Sequence, residues 1–480
     1  MYYHSTRSDS ITATAAQGIL QGLASDGGLF ISPLTALDWE DLMDRDTFAM
    51  ATKILSHLLP DVEHMDRLVE QAYRGKFETE DLTPLVPVGD RFVLELFRGP
   101  TSAFKDVALS MLPQLITQAR EQTAMSHEIL ILTATSGDTG KAAMAGFCNV
   151  PGTKIIVFYP DQGVSAVQKA QMVTQEGGNV HVCAVRGNFD DAQTGVKNIF
   201  SNLRGQELPF ALSSANSINI GRLAPQIMYY FRAYRDLMDA GKITLGDQVN
   251  FSVPTGNFGD ILAGYLAKLL GLPVGKLLCA SNANNVLTDF IRTGTYNRLR
   301  PLLKTTSPSM DILVSSNLER LLYLMSGDTA LVAELMAKLN ESGSYTVPED
   351  LLGRIQDQFW AGCCDDVGAK ATMAKVFAQT HYLCDPHTAA GWAVAEDYVN
   401  QTGDKRPMVV LSTASPYKFP AAVLDAIGGD VSGDEFTLME RLESLSGMPT
   451  PRNLATLKGK AERHLDVIPK DKMQEYVLNL

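Results

Sequence analysis

The sequence predicts an α/β fold with doubly wound, mostly parallel β-sheets. Two stretches of the chain, 129–203 and 248–280, support this prediction because strand-sized apolar runs alternate with helical patterns in both. Such alternation is typical of parallel strands whose connecting helices cover both faces of the sheet. The length of 480 residues and the hydrophobic content of 45% allow two or three domains with well-buried cores.

The first stretch contains three strand–helix units. An apolar run at 129–133 opens it, and an alanine-rich helix follows a loop of small residues. We predict strands over 129–133, 154–158 and 180–185, and helices over 141–147, 164–175 and 190–203.

The same alternation returns in the second stretch and again near residue 410. We predict strands over 248–253, 277–280 and 408–411, and helices over 260–270 and 420–427. The intervening residues 311–381 are mostly helical by pattern, with a Gly/Ser break at 341–344.

Composition excludes several classes of protein. The formal net charge of −13 argues against a broad nucleic-acid interface, and no apolar run is long enough to span a membrane. The first residues lack the apolar core of a secretory signal. The six cysteines form no C-x-x-C pair, so we expect a reducing, cytoplasmic environment and no bound metal.

The most informative motif is Gly99-Pro100-Thr101-Ser102-Ala103-Phe104-Lys105-Asp106. Lys105 follows an aromatic residue within a run of small residues, so its side chain can be held out of water. A desolvated ammonium loses its proton readily, and the free amine can attack an aldehyde. Taken alone, however, a lysine is more often a solvated surface residue.

Three segments share the order strand, loop of small and hydroxyl residues, then helix: 133–141, 255–260 and 412–418. Ligands of open α/β sheets bind beyond the carboxyl ends of the strands, so we expect these loops to meet at one cleft. The first has two residues between Gly137 and Gly140 instead of four, which excludes a nucleotide-binding P-loop. At the end of the third, Lys418 is interpreted as a surface lysine.

Two further groups could bind anions. The loop Thr255-Gly256-Asn257-Phe258-Gly259-Asp260 precedes a helix, whose positive end favours a phosphate. Asn216-Ser217-Ile218-Asn219-Ile220-Gly221-Arg222 combines amides, a hydroxyl and a guanidinium, which is a bidentate partner for phosphate or carboxylate. The alternative for the first group is a purely structural turn, and the alternative for the second is a solvated helix start.

A further motif, Asp385-Pro386-His387-Thr388, begins a predicted helix, and we expect His387 to have a capping or packing role.

Together these motifs resemble the threonine synthase family, whose members use pyridoxal 5′-phosphate (PLP) and have the tryptophan-synthase-β fold, called fold type II. The resemblance extends from Tyr3 to Pro420 and includes six motifs in order: G-P-T-x-A-F-K-D, T-S-G-D-T-G, N-S-I-N-x-x-R, T-G-N-F-G-D, D-P-H-T-A-x-G and S-T-A-x-P-x-K-F. One departure is Ile220-Gly221, where relatives more often have a bulkier aromatic residue.

The resemblance implies a role for each site residue. Lys105 would bind PLP covalently and carry protons, and Thr413 would hydrogen-bond the nitrogen of the cofactor ring. The cofactor phosphate would lie in the loop of Gly256, Asn257, Phe258, Gly259 and Asp260. The carboxylate of the substrate would be bound by Ser136, Gly137, Asp138 and Thr139, and its phosphate by Asn216, Ser217 and Arg222.

The same resemblance implies two lobes with the active site between them. We expect an N-terminal region over 1–95, a lobe over 96–245 that includes a smaller mobile domain at about 128–215, and a large PLP-binding lobe over 246–310 and 382–430. A helical insertion over 311–381 and a helical tail over 431–480 complete the chain.

The implied reaction converts O-phospho-L-homoserine and water into L-threonine and orthophosphate. The resemblance also implies that the protein is a monomer or a small homo-oligomer. A related PLP lyase would eliminate phosphate and give a keto acid and ammonia. The other alternative is a homologue that binds ligands without catalysis. Loss of the lysine or of the loop glycines would favour that alternative, and all of these residues are present.

Overall fold

Two β-sheets with helices on their faces form the body of the protein, as the alternating pattern predicts. The computed structural model describes residues 2–32, 34–135, 137–161, 164–203 and 205–480. Within these ranges all six strands predicted from the sequence are present, each within about three residues of its expected bounds.

The strands, in chain order, are β1 Tyr3–Ser5, β2 Ser8–Ala13, β3 Phe30–Ile31, β4 Leu85–Val88, β5 Arg91–Glu95, β6 Glu128–Ala134, β7 Thr153–Pro160, β8 Val180–Arg186, β9 Phe210–Ser213, β10 Val249–Pro254, β11 Val274–Ser281, β12 Thr295–Asn297, β13 Ser344–Thr346, β14 Phe359–Cys363, β15 Met408–Ser412 and β16 Asp466–Pro469.

The helices are α1 Ala15–Gln21, α2 Thr47–Leu58, α3 Met65–Tyr73, α4 Lys105–Gln122, α5 Asp138–Phe147, α6 Ala166–Val173, α7 Phe189–Leu203, α8 Ile220–Leu223, α9 Met228–Asp239, α10 Gly259–Leu269, α11 Val286–Thr293, α12 Leu318–Ser326, α13 Thr329–Ser342, α14 Glu349–Gln358, α15 Asp366–Thr380, α16 Pro386–Thr402, α17 Pro420–Ala426, α18 Glu435–Ser446, α19 Arg452–Ala455 and α20 Met473–Leu478.

The larger sheet has the order β14-β11-β10-β15-β5-β4, and its strands are parallel except for the β4–β5 hairpin. Every residue of β10 and of β15 is buried, as expected for central strands covered on both faces. We call this sheet with its helices the large lobe.

The smaller sheet has the order β16-β8-β7-β6-β9 and is parallel throughout. The apolar run Ile129–Leu132 lies in strand β6, between β7 and β9, and is buried. This sheet with helices α5, α6 and α7 is the small lobe. Its strands β6 to β9 occupy the part of the chain, about 128–215, for which the sequence predicts a smaller domain.

Two accessory regions differ from the expectation. The segment 311–381, expected to be helical, also contains β14, which pairs with β11 at the edge of the larger sheet. The tail 431–480, expected to be helical, contributes β16, which pairs with β8 of the small lobe. Short edge strands of four or five residues leave little periodicity in a sequence, which is why the pattern did not indicate them.

The tail therefore contacts both lobes. Helix α18 packs on α17 of the large lobe, and the carboxylate of Glu435 accepts a hydrogen bond from the amide of Val167 in α6 at 2.8 Å. In the described part of the chain, no helix combines the length and apolarity needed to cross a bilayer.

Candidate active site

The lysine motif lies beside the end of strand β15. The amide of Phe104 donates a hydrogen bond to the carbonyl of Thr413 at 2.8 Å, and the amide of Ser415 donates to the carbonyl of Ser102 at 3.1 Å. Ala103 and Ala414 form an isolated bridge between the same segments. The central strand of the larger sheet thus fixes the backbone that carries Lys105.

Asp106 holds the lysine loop in shape. Its carboxylate accepts hydrogen bonds from the amide and the hydroxyl of Thr101 at 2.9 and 2.5 Å. A Cβ atom at Gly99 would lie 2.5 Å from the Cβ of Asp106, so only glycine fits there. Ser102 has a left-handed φ of 58°, a conformation that is uncommon for residues with a side chain and is often found at functional sites.

Lys105 is buried at the first position of α4, with its Nζ 4.4 Å from the centre of the Phe104 ring. Burial lowers the pKa of its ammonium to about 8, with further lowering by Arg222 and Lys418, although the carboxylates of Asp138 and Asp260 oppose the shift. The amine is therefore available as a nucleophile near neutral pH, as the sequence predicts.

The loop 255–260 connects β10 to α10 and has the geometry of an anion site. Phe258 has a left-handed φ of 62° and packs against Phe359, and Gly259 begins the helix. A Cβ atom at Gly256 would lie 2.8 Å from the carbonyl oxygen of Ser309, so the close approach of these two backbones requires glycine. Asn257, next in the loop, is exposed.

Asp260 follows this loop in the first turn of α10. The hydroxyls of Tyr229 and Tyr230 donate to its Oδ1 at 2.5 and 3.1 Å, whereas its buried Oδ2 has no hydrogen-bond partner among the described residues. Burial raises the pKa of this carboxyl to about 6, against the lowering effect of the two tyrosines and Lys105. A buried carboxyl oxygen without a partner is costly, and it indicates a group that a ligand or water completes.

Arg222 carries a buried positive charge without an ion-pair partner among the described residues. It is 5% exposed, and its Nη1 donates to the carbonyl of Ala215 at 2.6 Å. Burial lowers the pKa of its guanidinium to about 10. An uncompensated buried guanidinium is an anion-binding group.

Asn219 and Gly221 position Arg222. The side chain of Asn219 accepts from the amide of Gly221 at 2.9 Å and donates to the carbonyl of Ile19. A Cβ atom at Gly221 would lie 2.9 Å from Leu112, so glycine lets this turn pack closely on α4.

The Ser217 loop lies against the start of α10. Ser217 Cβ is 3.5 Å from the position that a Cβ atom of Gly259 would take, and its carbonyl accepts from the side chain of Asn317 at 3.1 Å. The amide of Asn317 in turn donates to the carbonyl of Asn257 at 3.1 Å. Asn317, which no sequence motif indicated, therefore joins the two anion-binding segments. Asn216 lies half-buried one residue before Ser217.

The loop before α5 approaches from the small lobe. Ser136 lies outside the described residues. The amides of Gly137 and Gly140 both donate to the hydroxyl of Thr135 at 3.0 Å, and Thr139 is half-buried. Gly137 has a φ of 149°, and a Cβ atom there would lie 2.5 Å from Gln168.

Asp138 is the meeting point of the two lobes. Its carboxylate lies 3.8 Å from Lys105 Nζ and 2.5 Å from Lys418 Nζ, and it accepts from Gln168 and Ser309 at 3.2 Å each. Burial alone would raise the pKa of this carboxyl, but the two ammonium groups outweigh it and hold the pKa well below its usual range.

The interpretation of Lys418 as a surface lysine is wrong, because its side chain is completely buried. The third strand–loop–helix segment folds inwards over the end of β15, so a residue six positions beyond that strand reaches the cleft. The convergence of the three loops was the signal that could have identified it. His387 is also buried: its ring contacts Asp385, the N-cap of α16, and accepts from the amide of Ser309 at 3.2 Å.

Three family profiles match the chain. "Threonine synthase N terminus" matches residues 2–73, "Pyridoxal-phosphate dependent enzyme" matches residues 80–340 and "Threonine synthase, C-terminal" matches residues 388–475. The matched segments contain the motifs described above except Asp385, Pro386 and His387, which lie between the second and third segments.

The similar proteins are threonine synthases and proteins named threonine synthase-like 1. Threonine synthase of Saccharomyces cerevisiae is 37% identical over 92% of this chain and 93% of its own length, and that of Pseudomonas aeruginosa is 39% identical over 88% and 90%. Human threonine synthase-like 1 is 38% identical over 86% of this chain, which spans only 58% of that longer protein.

Solved structures agree in fold. The PLP-bound threonine synthase of Brucella melitensis superposes with a TM-score of 0.88 at 38% identity, over 100% of this chain and 99% of that one. Yeast threonine synthase gives a TM-score of 0.89 at 33% identity, over 100% and 98%. The prediction of fold type II is confirmed.

Proposed function

Because the chain belongs to the threonine synthase family, we propose that it converts O-phospho-L-homoserine and water into L-threonine and orthophosphate, with PLP attached to Lys105. The observation that carries the proposal is the buried Lys105 amine, which shares one cleft with the glycine loop and the unmatched Arg222. A PLP-dependent lyase acting on a phosphate ester needs an amine for the cofactor aldehyde, a loop for the cofactor phosphate and a cation for the substrate phosphate.

The residues of the cleft fit a phosphorylated aldehyde. Lys105 offers an amine that deprotonates easily, and Gly256 keeps the backbone open beside the start of α10. The charge of the Asp260 carboxylate, at the end of the glycine loop, raises the pKa of the Lys105 ammonium, which supports the proposal that both parts of the site serve one small cofactor. We assign the cofactor phosphate to Gly256, Asn257, Phe258, Gly259 and Asp260.

PLP, when bound, supplies an electron sink for negative charge that develops on the substrate carbons. Thr413 is assigned to the nitrogen of the cofactor ring. Its hydroxyl is neutral, so it does not stabilise a protonated ring as a carboxylate would, and more of the charge falls to cations of the cleft such as Arg222.

Lys105 carries the protons. After the amine of the substrate has taken its place, the Lys105 amine would remove a proton from Cα and pass it on to the conjugated system, which frees the amine to remove a proton from Cβ. Once phosphate has left, Lys105 would protonate Cγ and finally return a proton to Cα, while water adds its hydroxyl group at Cβ and gives its other proton to the phosphate. A pKa near 8 suits both directions of transfer at physiological pH. One flexible amine can reach neighbouring carbons that fixed bases could not serve together.

Arg222, Asn216 and Ser217 are assigned to the substrate phosphate. The guanidinium binds it bidentately and stabilises the charge that grows as the bond to Cγ breaks. We further propose that the released phosphate, while held by Arg222, relays protons for the addition of water at Cβ.

The carboxylate of the substrate is assigned to the start of α5, at Ser136, Gly137, Asp138 and Thr139. Backbone amides at a helix start favour an anion. Since the side chain of Asp138 is itself anionic and bound by Lys418, residue 138 contributes through its amide.

Location and assembly are part of the proposal. All six cysteines are free thiols, which supports a cytoplasmic protein. We expect a monomer or small homo-oligomer, with a small-molecule substrate and neither nucleic acid nor membrane as a partner.

Incubation of the purified chain with PLP and O-phospho-L-homoserine tests the proposal. We expect threonine and phosphate in equal amounts, and no turnover in Lys105→Ala. Phosphate accompanied by a keto acid and ammonia would identify a phospho-lyase instead, and absence of any product would identify a binding homologue.

A further inference from the structure

The buried ammonium of Lys418 needs a partner, because an unpaired charge inside a protein is strongly destabilising. It has two: Asp138 Oδ1 at 2.5 Å and the carbonyl of Thr101 at 3.2 Å. Thr101 belongs to the loop that carries Lys105. Lys418 thus contacts both the carboxylate that faces Lys105 and the backbone that precedes it.

The two lysines share Asp138 unequally. Lys418 Nζ lies 2.5 Å from Oδ1, whereas Lys105 Nζ lies 3.8 Å from Oδ2. The first distance is that of a charge-assisted hydrogen bond, and the second is not a hydrogen bond. The carboxylate is therefore satisfied mainly by Lys418.

The arrangement also joins the lobes. Asp138 and its neighbour Gln168 belong to the small lobe, whereas Lys418 and Ser309 belong to the large lobe. With the lobes in this position, the Asp138 carboxylate is held beside the Lys105 amine by groups on both sides of the cleft.

We propose that Lys418 is a positioning residue of the active site: by engaging Asp138 across the cleft, it keeps that carboxylate from capturing the Lys105 ammonium as a close ion pair. The amine is thereby left free to lose its proton and react. This proposal rests on the proposed role of Lys105, but it concerns the state of that amine before any substrate binds.

The charged groups around Lys105 and Asp138 determine in which direction each substitution shifts the protonation of the Lys105 amine. Lys105 faces Asp138, Arg222, Lys418 and Asp260, and Asp138 additionally faces His387. Removal of the charge at Lys418 leaves Asp138 to pair with Lys105, which favours the protonated amine. Removal of the charge at Asp138 favours the neutral amine.

The test is the pH dependence of Lys105 acetylation in the full-length chain without cofactor, measured by peptide mass spectrometry. We expect the half-labelling pH to rise by about 1 unit in Lys418→Met and to fall by a similar amount in Asp138→Asn. Lys418→Arg, which keeps the charge, should remain close to the wild type.

Lys141→Met is the matched control. Lys141 is on the same helix as Asp138, but its ammonium binds the amide oxygen of Gln175. Its removal should leave the half-labelling pH of Lys105 unchanged. If Lys418→Met does not accumulate as folded protein, Lys418→Gln takes its place, because it removes the charge and keeps a donor.

Half-labelling values that stay at the wild-type pH, or that move in the same direction in the Lys418 and Asp138 variants, would overturn the proposal. A purely structural ion pair would lower thermal stability in both variants without opposite shifts. Because no substrate is present, failure here leaves the assignment of the overall reaction to be judged by product analysis.

Discussion

The amide of Phe104 donates a hydrogen bond to the carbonyl of Thr413 at 2.8 Å. These residues are separated by more than 300 positions, yet they place the reactive lysine directly beside the end of the central strand β15. The contact joins the group proposed to hold the cofactor covalently to the group proposed to contact its ring.

The rate of PLP attachment should follow the ionisation of Lys105. Burial lowers the pKa of its ammonium to about 8, so the amine is mainly protonated below that pH and mainly neutral above it. The initial rate should therefore rise with pH and level off above about 8, measured by visible absorbance. Free Nα-acetyl-lysine should continue to gain rate towards about pH 10.4. A midpoint for the protein near that of the free amine would contradict the low-pKa assignment.

Arg222→Lys should impair use of the phosphorylated substrate. Lysine keeps the charge but loses the planar fork, so one charge-assisted hydrogen bond worth about 2 kcal/mol is lost, and kcat/KM should fall roughly 30-fold. Steady-state kinetics with O-phospho-L-homoserine measure this. Unchanged kinetics would remove Arg222 from the phosphate site.

Gly256→Ala should weaken cofactor binding. The new Cβ atom would lie 2.8 Å from the carbonyl of Ser309, and neither backbone can move without distorting the loop. We expect at least about 10-fold weaker PLP affinity, measured by titration, for a distortion of 1.4 kcal/mol or more.

Gly353→Ala is the matched control for Gly256→Ala. Gly353 lies in α14, and no neighbouring atom lies within 4 Å of its would-be Cβ position. The substitution should leave PLP affinity unchanged and raise the stability by about 0.5–1 kcal/mol. Equal PLP affinity in both variants would show that the loop tolerates a side chain.

Asp260→Asn should stabilise the cofactor-free chain in a pH-dependent way. Burial raises the pKa of Asp260 from 3.8 to about 6, so the folded chain holds a proton that the unfolded chain releases between these values. The stability of the wild type relative to the variant is therefore greatest below pH 3.8 and is lost as the pH rises through about 6.

The size of this effect follows from the shift. At pH 7 the variant should be the more stable by about 3 kcal/mol, because asparagine still accepts from Tyr229 and Tyr230 but carries no buried charge. Urea unfolding at pH 4 and at pH 7 gives the comparison. A difference that does not change with pH would show that Asp260 ionises normally.

Much of the site could be predicted from the sequence because its parts are local motifs. Lys105, the loop 255–260 and Arg222 each carry their chemistry within six to eight consecutive residues, and strands β10 and β15, which precede or flank two of these segments, are visible in the sequence as apolar runs. The structure places these predicted segments together around one cleft.

The remaining parts depend on contacts between distant segments. Lys418 looks like any solvated lysine until the fold buries it, and Asn317 joins Asn257 to Ser217 from a loop without a motif. Strand β16 lies at the edge of a sheet formed about 280 residues earlier, a pairing that no local pattern encodes.

The central claim is that one nitrogen, that of Lys105, binds the cofactor covalently. Reduction of the PLP-loaded chain with borohydride, followed by digestion and mass spectrometry, tests this most directly. We predict a single pyridoxyl modification on Lys105 and none in Lys105→Ala. Modification of another residue, such as Lys141 or Lys418, with Lys105 unmodified would contradict the account.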